Sequence, residues 1–279
     1  PSILGVSVAQ ISLLINTVFA SFLAVGSVSW LYYADRLIEF PVGVLGVALS
    51  TVLLPSLSRS LANNKKSEYS SLINWGIKLG ILTAAPASAA LVILSIPLIT
   101  TLFFYGAFQE ADVLMTRNAL VAYSVGLIGL IQIKIIAPAF YAQQNVKTPV
   151  KIAIFTLFCT QFMNLIFIGI FQHAGLALAI GLGACINAGL LFFFLQKSKL
   201  FKLDSNIFKF IIKVLVSASI MSAVLFYFKG STEDWLSYSA ISRVGNLLFL
   251  IFIGTVVYFI SLKCCGIELT KFLKKNHNY

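Results

Sequence analysis

Three ionisable residues, Asp35, Arg36 and Glu39, stand inside an otherwise apolar stretch that runs from about Ser27 to Leu57. An ionisable group at membrane depth costs about 2.5 to 3.5 kcal/mol to insert, so three in one segment point to a function. The chemistry they offer is binding. At about 100° per residue the three side chains fall within an arc of about 100°, on one side of a helix, away from lipid and toward a water-filled chamber. A structural ion pair between Arg36 and Glu39 at i, i+3 is the plainer alternative. Two acids and one base leave a local charge of −1, so a further cation is expected near them. Lys134, in Gln132-Ile133-Lys134-Ile135, either lines the same cavity or carries its ammonium to the interface at the end of its helix. Directly after the trio come Pro41, Gly43 and Gly46. The proline removes a backbone donor and the glycines permit close approach, so this crossing is expected to bend there, as transporter helices do around a substrate cavity.

Residues for covalent chemistry are not assembled in the sequence. His173 falls in a short external turn and His277 in the terminal tail, neither with an acid or nucleophile at triad spacing. No glycine-rich loop with lysine encodes a nucleotide site. Cys159 and Cys185 are isolated in apolar segments and Cys264-Cys265 are adjacent at a helix end, which makes no metal set. The chain is expected to be no enzyme and to use neither metal nor cofactor.

The elements that must position the trio follow from composition. Hydrophobic residues make up 59% and charged residues 10% of 279, with a mean hydropathy of +0.96. A soluble domain carries about a quarter charged residues. Polar punctuation divides the chain into eight apolar stretches, near 4 to 25, 28 to 57, 76 to 104, 116 to 137, 152 to 171, 174 to 195, 208 to 228 and 244 to 262. Each is long enough to span about 30 Å of hydrocarbon as a helix, and no strand-like alternation appears. The expected fold is all-α, a polytopic membrane protein of eight crossings. The net charge of +11 is distributed by topology. Arg59, Lys65, Lys66 and Lys78, then Lys147 and Lys151, then Lys197, Lys199, Lys202, Lys209 and Lys213, then Lys263, Lys271, Lys274 and Lys275 mark alternate connections. The intervening ones hold Arg117, Lys229 and Arg243 beside Glu110, Asp112, Glu233 and Asp234. By the positive-inside rule the first set and the C-terminus face the cytoplasm, and the charge needs no nucleic-acid partner. The start Pro1-Ser2-Ile3, without Met or a basic n-region, reads as that of a fragment rather than a signal peptide. The basic linker 196–207 separates residues 1–195, a six-helix unit, from a final pair of helices in 208–279.

The run Ser27-Val28-Ser29-Trp30-Leu31-Tyr32-Tyr33-Ala34-Asp35-Arg36-Leu37-Ile38-Glu39-Phe40-Pro41, continued by Val42-Gly43-Val44-Leu45-Gly46, closely resembles the MurJ (MviN) family of bacterial lipid II flippases. Ala122-Tyr123-Ser124-Val125-Gly126 and Lys147-Thr148-Pro149-Val150-Lys151 extend the resemblance over the whole chain, as the seventh to fourteenth of the family's fourteen helices. The resemblance implies a fold of the MOP exporter superfamily, in which two six-helix lobes face each other around a cationic cavity that opens alternately to either side. On it, 1–195 is the C-terminal lobe, and 208–262 is the extra pair bordering a hydrophobic groove for a polyprenyl tail. Arg36 matches the family's required cavity arginine and Glu39 the acid beside it. The implied partners are lipid II, which is an undecaprenyl-pyrophosphate carrying a disaccharide-pentapeptide, the surrounding membrane lipids and an N-terminal lobe missing here. The implied location is the bacterial inner membrane. Some members bind sodium through aspartates on helices corresponding to crossings one and five. This chain has Asn16 and Thr17, and Thr160, Gln161 and Asn164, in those crossings and no carboxylate, so its amides are expected to bridge helices. Another MOP-type exporter, of drugs or a different polyprenyl-linked oligosaccharide, is the alternative; a membrane enzyme acting on lipid-linked sugars, or a scaffold, lacks support in the residues.

Overall fold

In hydrocarbon a chain satisfies its backbone polar groups only by coiling on itself or closing a barrel. The protein takes the first course. The computed structural model describes residues 2–268, so Lys271, Lys274, Lys275 and His277 lie outside the described residues. Among the described residues every regular element is helical. α1 (Ser2–Ser21) is followed by α2 (Ser27–Pro41), which runs through a π-helical segment (Val42–Val47) into α3 (Ala48–Ala62). Then come α4 (Lys66–Ile93), α5 (Ser95–Phe103), α6 (Glu110–Ser124), α7 (Leu127–Ala142), α8 (Lys147–Phe171) and α9 (His173–Lys197). α10 (Ile207–Phe228), the short α11 (Thr232–Ser237) and α12 (Ala240–Cys264) complete the described chain.

Among the described residues six helices are long and apolar enough to cross a membrane, and α6 with α7, bent by 43°, adds a seventh if the pair is one crossing. The expected eight would also need α1 (Ser2–Ser21) as a crossing. Boundaries shift where packing overrides polarity. α4 begins ten residues before the expected position 76, because Tyr69, Leu72 and Ile73 bury in the first core despite polar neighbours. Tyr69 there donates to the carbonyl of Ala139 at 2.8 Å and accepts from Gln143 at 2.6 Å, tying the start of α4 to the α7–α8 turn.

Lipid is as apolar as leucine, so helix association rests on close packing of small residues. Gly126 lies directly against the backbone of Gly181 in α9, and a Cβ on Gly129 would stand 2.7 Å from the carbonyl carbon of Ala184. A first core joins α2, α3, α4, α6 and α7, and a second joins α4 to α10 and α12. The basic loop before α10 is bound down along α4. Asn74 donates to the carbonyl of Lys202 at 2.8 Å, the Ser70 hydroxyl accepts from the Lys202 amide at 3.0 Å, and Lys78 pairs with Asp204. The expected linker is therefore docked along α4.

Candidate functional site

α2 starts at Gly26, whose φ of 101° is open to glycine; a Cβ there would also meet the Trp30 indole at 2.6 Å. Trp30 in turn donates to Asp112 Oδ1 at 2.7 Å and its ring lies 5.0 Å from that of His173. One face of α2 buries Ala34, Leu37 and Ile38 in the core, which leaves Ser29, Tyr32, Arg36, Glu39 and Phe40 exposed on the other.

On that exposed face Arg36 Nη1 meets Glu39 Oε2 at 2.6 Å, and the guanidinium carbon sits 4.8 Å above the Tyr32 ring. The two charged side chains remain 53% and 55% exposed. Of the five donors that a guanidinium carries, some meet the Glu39 carboxylate and the Tyr32 side chain, and the rest are left over. Rather than being sealed in a dry cluster, the group is open on one side. Asp35 departs from the trio. About 100° further round the helix, it lines a cavity of about 270 Å³ with Asn16 and Thr17 of α1 and Tyr123 of α6. No ion pair links it to Arg36 among the described residues, and Glu39 together with the Tyr32 ring orients the arginine.

The Pro41, Gly43 and Gly46 region is the π-helical segment. Pro41 cannot donate, and the turns widen over Val42–Val47 before α-helix resumes. The sequence feature thus gives a π-bulge within a 36-residue helix in place of a sharp bend. Gly43 faces open space, whereas a Cβ on Gly46 would stand 3.1 Å from Lys134 Cγ. Lys134 is exposed and, because α7 continues through Pro138 to Ala142, lies two turns from the helix end rather than at it. It packs on the π-helical segment, about 15 Å along the helix from Arg36. The structure thus joins Arg36 with Glu39 and Gly46 with Lys134, and separates Asp35 from both.

Two other regions bear on the site. α4, α10 and α12 enclose an apolar cavity of about 330 Å³, lined among others by Leu82, Pro86, Leu225, Gly254 and Tyr258. Asn164 of α8 donates to Asn16 Oδ1 at 2.7 Å, so these intramembrane amides bridge helices.

A model of the family described as "Lipid II flippase MurJ" matches residues 1–245. The chain belongs to this family. A probable lipid II flippase MurJ of Buchnera aphidicola (subsp. Schizaphis graminum) is 44% identical over 99% of the chain and 54% of its own length. The lipid II flippase MurJ of Burkholderia cenocepacia is 43% identical over the same shares. The chain spans about half the length of the curated relatives it matches. A solved lipid II flippase MurJ in an inward closed conformation superposes with a TM-score of 0.78, at 27% identity, over 92% of this chain and 51% of that one. An outward-facing MATE transporter of the MOP superfamily gives 0.60 at 14% identity, over 98% of this chain and 64% of its own, and shares the fold alone.

Within this MurJ-family chain, sequence reasoning missed the Trp30–Asp112–His173 contact and the burial of Arg243. His173, expected in a short external turn, opens α9 and is 3% exposed, with Nε2 2.9 Å from the carbonyl of Met115. A tryptophan and a histidine, each at a helix start, were the available signals.

Proposed function

We propose that this chain is the lobe that, facing a second six-helix lobe, moves lipid II from the cytoplasmic to the periplasmic leaflet of the bacterial inner membrane by alternating access. The observation that carries the reading is Arg36: a guanidinium within an apolar crossing, oriented by Glu39 and with donors left over. It would take the pyrophosphate as a charge-assisted contact while the apolar cavity of α4, α10 and α12 takes the polyprenyl tail. Asp35 serves the packing of α1 rather than the arginine, and Lys134 adds its charge at the hinge, where the π-bulge lets α2 and α3 flex. The C-terminus and the basic connections lie on the cytoplasmic side.

The test is complementation of a flippase-depleted strain by a full-length protein containing this chain, with and without Arg36→Ala. Restored growth and lipid II export by the parent, lost in Arg36→Ala at equal membrane abundance, is expected. Equal export by both assigns Arg36 a structural role.

A further inference from the structure

We infer that the aromatic concavity at the external end of α2 is a subsite for the sugars of the exported lipid's head group. This deepens the proposed function and rests on Arg36 as the diphosphate contact. The concavity encloses about 360 Å³ and is lined by Ser29, Trp30, Tyr33, Tyr105, Phe108 and Asp112. At about 100° per residue, Ser29, Tyr33 and Arg36 lie within about 60° of one another, and the first two precede Arg36 by about 10 and 5 Å along the helix. A sugar joined directly to a diphosphate held at Arg36 reaches that interval.

The lining fits a carbohydrate. Sugar rings offer C–H faces to the electron-rich faces of aromatic rings and hydroxyls to polar groups at the rim. The rings are already in place. Trp30 is held by Asp112 and His173, and Tyr33 packs against Phe103 and Phe108 at 4.7 and 5.2 Å. Tyr105, 49% exposed, is anchored by donating to the carbonyl of Thr101 at 2.8 Å. Rings fixed beforehand lose little freedom on binding. An ammonium ligand fits less well, because both oxygens of Asp112, the one carboxylate in the lining, are engaged. Oδ1 accepts from Trp30, and Oδ2 accepts from the Gln109 amide at 2.8 Å.

The test titrates the full-length protein with lipid II and with undecaprenyl diphosphate lacking sugars, reading tryptophan fluorescence. The parent is expected to prefer lipid II. Tyr105→Ala and Tyr33→Leu should each reduce that preference by about tenfold, with binding of the bare diphosphate lipid unchanged, and Tyr105→Phe should restore it. Tyr105 is at the surface, so its replacement tests the subsite even if the Tyr33 variant misfolds. A preference left intact by Tyr105→Ala, or an equal loss for both lipids, overturns the subsite. Arg36→Ala should weaken both lipids alike. If it leaves the bare lipid unaffected while the tyrosine variants erase the preference, the diphosphate contact fails and the sugar subsite stands.

Discussion

Two arginines of this chain end in opposite surroundings. Arg243, at the start of α12, is 6% exposed and is closed off by backbone oxygens. It donates to Trp235 at 3.0 Å, Leu236 at 2.9 Å, Phe104 at 3.3 Å and Thr100 at 3.4 Å, with the Phe104 ring 4.8 Å away. Arg36 has one carboxylate, one ring face and an open side. Sequence position alone ranks them the other way, since Arg36 stands in an apolar run and Arg243 in a connection. What separates the arginine proposed to bind from the one that braces is therefore the number of donors left free after folding, not depth.

That contrast can be broken by experiment. Arg36→Ala should lower lipid II translocation by about thirtyfold or more while leaving the melting temperature nearly unchanged, and Arg36→Lys should also impair transport, because a point charge lacks the planar fork. Arg243→Ala should do the reverse. Leaving four carbonyls without a donor is expected to cost about 2 to 4 kcal/mol, seen as a lower melting temperature, with normal transport per folded molecule. A stable but inactive Arg243→Ala would exchange the two roles. Phe104→Leu removes the ring beneath the guanidinium and should cost about 0.5 to 1 kcal/mol in the same melt. The smallest effect concerns α11, which presents the carbonyls of Trp235 and Leu236. Hydrogen bonds from the Ser231 amide and hydroxyl hold the Asp234 carboxyl below its usual range. A lowered folded pKa gives stability present above about 3.9 and lost as pH falls through the folded value. Protection against amide exchange across 232–237, taken relative to the intrinsic rate at each pH, should therefore fall on acidification, and Asp234→Asn should lower it already at neutral pH.

Much of this was legible beforehand. Apolar runs of crossing length gave the helices, and i, i+3 spacing gave the Arg36–Glu39 pair. Asp35 was not legible, because its direction depends on where α1 packs, and a helix wheel carries no neighbours. Lys134 was misplaced because hydropathy ended its helix at Pro138, whereas in lipid a proline is tolerated inside a helix that neighbours support. Arg243 was hidden because its acceptors are backbone carbonyls from two other segments, α11 and the end of α5, which no residue pattern announces.

The strap formed by Lys202 and Asp204 across α4 has a mechanical consequence. α4 is at once a wall of the apolar cavity and the anchor of the segment leading into α10. In the proposed alternating access, α10 and α12 travel with α4 as luggage strapped to a carriage, and a tail in the cavity keeps its berth.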